Sequence, residues 1–381
     1  MKPGITTIMW TFLENTGLPI LEGIVALLLI FSVLLDTFEV IILPRRVVRP
    51  LRLATIIYRF TWIPWAARAE HIKNPMRREN FLAFYGPLAL IFLLLIWLVG
   101  LIFGFALLQQ AFGSQISVPG GKPSFGTDLY MSGTTLLTLG LGDVVPQSGI
   151  ARAITVIEVG TGFGVLAMVI GYLPVLYQAF SRREVNISLL DARAGSPPTA
   201  VELLRRHGHL NGEDHNIESL NQLLYEWERW SAELLESHLS YPSLAYFRSQ
   251  HDNQSWLAAL TMILDACALV LVGIDDVPIH QAKLTFAMAR HAIVDLGQVF
   301  DVPYRTCKAN RLQSGEFERM RAILAKVGMA VRGGEEAETK LKHYREMYEP
   351  YVNALSKRLL IAVPPWFPPT EEIRDDWQTS A

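Results

Sequence analysis

A chain of 381 residues that is 51% hydrophobic and 18% charged, with mean hydropathy +0.26, is too apolar for an ordinary soluble protein of this length, so a membrane protein is the first expectation. The formal net charge of −2 points to no class of partner, and no nucleic-acid motif accompanies the basic segments. Cys267 and Cys307 stand alone in the sequence, which argues against a disulfide framework and for a reducing compartment.

In chain order, residues 16–43, 81–108 and 150–178 are each long and apolar enough to cross a hydrocarbon core. Between the first two lie Arg45, Arg46, Arg49, Arg52, Arg59, Arg68, Lys73, Arg77 and Arg78 against Glu70 and Glu79, whereas the loop 109–149 carries only Lys122, Asp128 and Asp143 of note. The positive-inside rule puts 44–80 in the cytoplasm and 109–149 outside. The N-terminus is then external, and everything after Arg182-Arg183 is expected in the cytoplasm of a multi-pass protein of the cell membrane. A cleaved signal peptide fits poorly, because the first apolar run exceeds a typical h-region. The Arg46-x-x-Arg49-x-x-Arg52 spacing is better read as a surface against anionic lipid than as a voltage sensor, since Pro50 interrupts it and it follows the apolar span. Residues 51–67 are expected along the interface, with Pro64 limiting a helix there. In the first crossing, Asp36 and Glu39 share a helical face and are expected to meet Arg45 or Arg46.

The segment after the second crossing carries the chemistry. Residues 128–137 read as a short helix with Thr127 or Asp128 as its N-cap, followed by Thr138-Leu139-Gly140-Leu141-Gly142-Asp143. A permeating cation sheds water, and a narrow ring of backbone carbonyls replaces that shell without trapping the ion as a carboxylate would. Glycines at 140 and 142 permit the backbone conformations that aim successive carbonyls one way, and the Thr138 hydroxyl can serve the inner mouth. One chain supplies one such loop and a ring needs about four, so a homotetramer follows.

From Tyr130-Met131-Ser132 through Thr138-Leu139-Gly140-Leu141-Gly142-Asp143-Val144-Val145-Pro146 the chain resembles the potassium-channel pore family, whose module is an outer helix, a pore loop with a T-V-G-Y-G-D filter, and an inner helix. The resemblance covers about 81–180. It implies that the carbonyls of Thr138, Leu139, Gly140 and Leu141 line ion sites, that Asp143 braces the outer end, and that potassium is the permeant ion. Leu137, Leu139 and Leu141 depart from the family pattern. Leu141 matters most, because leucine in place of an aromatic residue packs behind the filter without a hydrogen bond. The alternatives are a nonselective monovalent cation channel, and a nonconducting sensor or interaction protein on a channel-like scaffold.

In the third crossing, Glu158 is a functional candidate by its cost in a span, either bonded behind the filter or tuning ions. Gly160 and Gly164 are candidates for close helix packing or a hinge. Pro174 removes a helix hydrogen bond, which makes Tyr172 to Tyr177 the candidate gate.

After Arg183 the pattern stays helical but turns polar, with a break at Gly195-Ser196-Pro197-Pro198 and helices expected over 199–208, 216–239, 254–273, 276–300, 315–330 and 334–361. The fold class is therefore an all-α membrane protein: a tetrameric potassium-channel-like pore over 81–180, an extra N-terminal transmembrane helix, a helical cytoplasmic domain over 184–361, and a proline-rich tail over 362–381. Residues 256–273 are apolar enough to span, yet Asp265 at their centre favours a buried cytosolic helix. His207, His209 and His215 have no evident fourth partner, so no metal site is expected. No phosphate-cradling glycine loop and no nucleophile-base set stands out, so neither a nucleotide-binding regulatory domain nor an enzyme is supported, and no cofactor is expected beside the permeant potassium ion. An unidentified ligand or protein on the helical domain remains open, and Pro364-Pro365-Trp366-Phe367-Pro368-Pro369 runs extended, docked or exposed.

Overall fold

A computed structural model describes residues 17–43, 52–118, 120–208, 217–251, 253–275, 277–302, 310–313 and 315–368. By internal packing the chain divides into two units, Met1–Ile63 with Pro87–Val175, and Pro64–Gly86 with Leu176–Ala381. These units divide the chain at 63/64, 86/87 and 175/176, where the sequence reading expects segments ending at 43, 80 and 180. Part of the basic linker and the base of the second crossing belong with the C-terminal helices.

The first unit is built on α1 (Leu18–Ile41), the start of α2 (Leu53–Glu70), most of α4 (Tyr85–Ala111), α5 (Phe125–Leu136) and α6 (Gly149–Ala194) as far as Val175. A two-residue hairpin, β1 (Ile116–Ser117) against β2 (Val145–Pro146), closes the loop around α5, with Ile116 opposite Pro146. α1, α4 and α6 are membrane-spanning in length and apolarity. α1 lies on α4 through small residues: a β-carbon at Gly100 would stand 3.0 Å from Val33 Cγ2, and one at Gly104 would stand 2.6 Å from Ile30 Cγ1. The core continues through Ala54, Ile57, Trp97, Leu101, Leu136 and Ile154.

Arg45 and Arg46 lie outside the described residues, and Asp36 has other partners. It accepts the Ala54 N–H at 3.2 Å on both oxygens and the Trp97 indole N–H at 2.8 Å, which fixes the first turn of α2 and the middle of α4 to α1. Glu39 pairs with Arg52 at 3.4 Å. Pro64 does not stop α2, which runs through it.

Two boundaries differ from expectation, one in α5 and one in α6. Ser124 caps α5 instead of Thr127 or Asp128: its side chain accepts the Thr127 N–H, and the Thr127 hydroxyl accepts the Ser124 N–H in return. Asp128 is buried in the first turn and accepts from Ser114. α6 continues past Pro174 and Arg182-Arg183 to Ala194, well beyond the expected end near 178.

The second unit joins the end of α2, α3 (Pro75–Ala83) and the first turn of α4 to the lower part of α6 and to α7 (Ala200–Arg206), α8 (Ile217–Ser240), α9 (Trp256–Gly273), α10 (Ile279–Val299), α11 (Glu316–Ala325), α12 (Glu335–Glu346) and α13 (Glu349–Leu359). The helix expected over 334–361 is two, parted at Met347 and Tyr348. α9 has the length and apolarity of a span, and 94% of it is buried inside the protein. It is the central core helix, with α7, α8, α10, α12 and α13 around it. Asp265 in its middle accepts both Arg311 guanidinium nitrogens, at 3.1 and 2.5 Å, and the Tyr348 hydroxyl at 2.5 Å, so the buried charge is paired. The tail docks as far as it is described. Trp366 is buried between the Arg311 and Arg345 guanidiniums, its carbonyl accepts the Val201 N–H at 3.2 Å, and Arg311 donates to the Pro364 carbonyl at 3.0 Å.

Candidate pore and its supports

Past the end of α5 the backbone alternates. Thr138, Gly140 and Gly142 have φ of 58°, 57° and 77°, all in the left-handed region. No neighbour lies within 4 Å of a β-carbon built on Gly140 or Gly142, so their glycine character serves conformation and not space. Thr138 is β-branched and held there at a cost of about 1–3 kcal/mol, strain of the kind that persists where a structure needs that geometry. The turn into this segment is fixed from one side. The N–H of Leu139 donates to the Thr134 carbonyl at 2.8 Å, that of Gly140 to the same carbonyl at 3.4 Å, and that of Thr138 to Thr135 at 3.0 Å. Leu139 and Leu141 are 60% and 63% exposed in the single chain.

Asp143 is held by a residue to which the sequence assigned no role. Tyr130, on α5, donates its hydroxyl to Asp143 Oδ2 at 2.8 Å, while Asp143 Oδ1 accepts the Val144 N–H at 3.0 Å. A tyrosine on the short helix thirteen positions before the aspartate was the available signal, since two turns of helix and the loop return bring them level.

Glu158 is fully buried on α6 and bonds to Ser132 on α5. Ser132 also reaches the Ile102 carbonyl of α4 at 2.9 Å, so one hydroxyl joins three helices behind the loop. Higher on the same interface, Gln109 Nε2 donates to the Ala151 carbonyl at 3.3 Å and to Thr155 Oγ1 at 3.4 Å. Of the α6 glycines, Gly160 and Gly164 face open space, and the close approach expected of them is made by Gly162, where a β-carbon would overlap the Leu136 carbonyl. An apolar cavity of about 220 Å³ opens beside it, lined by Trp97, Leu101, Leu136, Thr138, Gly162 and Val165. Tyr172 is buried and Pro174 exposed, with the helix unbroken through both. Along the outer face of α6, Val156, Phe163 and Ile170 stand seven residues apart at 71%, 66% and 62% exposure.

His207 spends its Nδ1 on the Leu203 carbonyl at 2.8 Å, His209 and His215 lie outside the described residues, and among those described no three His, Cys, Asp or Glu side chains gather as a metal site. Cys267 is buried as a thiol and Cys307 lies outside the described residues.

Residues 91–178 match the family model described as "Ion channel". The chain is also similar to the uncharacterized membrane protein YdjJ of Bacillus subtilis (strain 168), at 27% identity over 199 residues. That alignment covers 51% of this chain and 56% of the relative, so the likeness spans about half of each. No solved structure matches.

Proposed function

We propose that the chain, whose residues 91–178 match the ion-channel family model and whose long apolar helices are of membrane-spanning length, is a passive cation channel of the potassium-channel pore type that conducts potassium through a ring of four copies. The observation that carries this reading is the alternation of left-handed residues at Thr138, Gly140 and Gly142, with the N–H groups of Thr138, Leu139 and Gly140 engaged on α5. Such a backbone presents a file of carbonyls in place of a hydration shell, and Thr138, Leu139, Gly140, Leu141 and Gly142 are its members. Asp143 and Tyr130 hold the outer end, and Glu158 with Ser132 holds the back. The tetramer is supported by what one copy leaves bare: the side chains of Leu139 and Leu141, and the seven-residue stripe of Val156, Phe163 and Ile170. Gating at Tyr172 to Tyr177 around Pro174, with flexing at Gly160 or Gly164, belongs to the same proposal, as does a topology with the N-terminus outside and the second unit in the cytoplasm.

The test is reconstitution of the purified chain in liposomes with reversal potentials measured under opposed potassium and sodium gradients. The expected reversal lies near the potassium equilibrium potential. A value near zero assigns a nonselective pore and overturns potassium preference. Gly142→Ala forces a β-carbon onto φ 77°, at about 1–2 kcal/mol in each copy, and should abolish the current while leaving the second unit folded. Undiminished current in that variant removes the filter assignment.

A further inference from the structure

The second unit contains the bases of both helices that continue into the channel domain, and one short turn touches both. After α8 the chain makes a 3-10 turn, Pro242–Tyr246, and then presents Phe247 and Arg248. Arg183 of α6 is buried and drives its guanidinium onto this turn, with Nη1 donating to the Leu244 carbonyl at 2.9 Å and Nη2 to the Phe247 carbonyl at 2.8 Å. The Phe247 ring lies 6.3 Å from that of Tyr177 and 5.9 Å from that of Phe180, both also on α6. Its other side meets the start of α4 so closely that a β-carbon at Gly86 would stand 2.8 Å from the ring. The neighbouring residues repeat the pattern. Tyr246 packs edge-on to Tyr85 at 5.2 Å, and Arg248 pairs with Glu79 of α3 at 3.6 Å.

The same turn is tied to the far end of the unit. Arg248 donates to the Leu359 and Leu360 carbonyls, at 2.6 and 3.1 Å, where α13 ends and the chain sets out toward Trp366. Arginine is the residue this work requires. Its planar fork serves two carbonyls at once, which a lysine ammonium on a flexible stem does less well. Arg248 ties the turn to the end of α13, and the turn bears on the bases of both α6 and α4.

We propose that Phe247 is a positioning residue that couples the bases of α4 and α6, so that the helical unit acts on the outer and inner helices together and not on the inner helix alone. What the coupling controls rests on the channel reading above; the coupling itself does not. It adds to that reading a link between two of the helices, α4 and α6, that cross from one unit into the other, so that they move together and not independently.

The test uses the full chain in liposomes and two variants placed on opposite sides of the ring. Gly86→Ala sets a methyl against Phe247 from α4, and Arg183→Lys withdraws the fork from α6. Amide hydrogen exchange is read at 79–86 and at 177–187, and open probability is read in parallel. Coupling predicts that each variant loosens both segments, and that the open-to-closed ratio moves at least about fivefold, the lower end of ordinary coupling energies, with the reversal potential unchanged. Phe247→Leu, which keeps bulk and loses the ring, should separate the two segments, so that exchange in one no longer follows the other. Exchange changes confined to the mutated helix in both variants overturn the proposal. Exchange that spreads across the turn in a chain that passes no current upholds the coupling and overturns the channel reading. Exchange that spreads while a conducting chain keeps its open probability overturns the gating role.

Discussion

Ser132 has one hydroxyl hydrogen and stands between two acceptors, the Ile102 carbonyl and Glu158. One hydrogen cannot serve both, so the second bond needs a hydrogen from the Glu158 side, which a carboxylic acid or an amide supplies and a carboxylate does not. Glu158→Gln should therefore preserve current and the potassium reversal potential, whereas Glu158→Ala, which leaves Ser132 facing a void between three helices, should reduce current sharply. Equal currents in the two variants would show that this bond does not support the pore. In the second unit, His238 is buried beside the Arg183 guanidinium, with Nε2 3.4 Å from Nη1, and Trp256 against its ring. Burial foremost, then the neighbouring positive charge, push its pKa down from 6.5 to about 3. Between those values the unfolded chain holds the proton and the folded one does not, so stability falls as pH falls, by up to about 1.4 kcal/mol per pH unit. Thermal unfolding at pH 7 and pH 4.5 should show this loss, and His238→Gln should remove part of it. An unchanged slope in the variant would place the acid sensitivity elsewhere.

Whole elements were legible where one periodicity or one apolar run governs them. α1, α4 and the membrane part of α6 announce themselves by length, and the alternating glycines of the loop by chemistry that a β-carbon forbids. The misreadings have local causes. Thr127 stands where a capping box usually has glutamate, which hid Ser124 as the cap. Arg182-Arg183 looked like the end of a span, yet Arg183 is buried among carbonyls, and a helix that sinks a charged side chain gives no polarity signal of its continuation. Asp265 correctly marked α9 as a core helix, but its partners Arg311 and Tyr348 lie 46 and 83 positions away, beyond any spacing rule. A close approach of small residues that the sequence expectation did not include is made by Gly100 and Gly104, which face α1. Gly104→Leu should thus lift α1 from α4, lower the thermal transition of the chain and weaken the Asp36 to Trp97 bond, readable as a change in Trp97 emission. The same substitution at Gly160, where nothing lies within 4 Å in the single chain, should leave that transition within about 0.5 kcal/mol of its original stability unless a second copy packs there.

At the scale of the molecule, the division into units changes what a truncation removes. Cutting after Glu184 looks from the sequence like the removal of a separate domain, but residues 64–86 belong to that domain's packing. Tyr85 is buried against Tyr246, and Gly86 against Phe247, and both partners vanish in the truncated chain. The stack of Trp65 on Phe81 at 4.4 Å, with Tyr85 beside it, would survive as an aromatic patch on the base of α4, and Arg183 would retain Glu184 at 2.9 Å while losing both carbonyls. An exposed patch of this kind favours association, and a guanidinium stripped of its carbonyls favours hydration of the end of α6. The truncated protein should therefore elute as larger species than the intact one and unfold at lower temperature. If the truncated chain conducts, its reversal potential should equal that of the intact chain, because residues 138–142 lie wholly in the first unit. Size-exclusion chromatography followed by flux under opposed gradients checks both halves of the prediction. A monodisperse truncated protein of the intact protein's assembly size, with intact thermal stability, would mean that 64–86 does not depend on the helical unit, and a shifted reversal potential would mean that selectivity is not set by the loop alone.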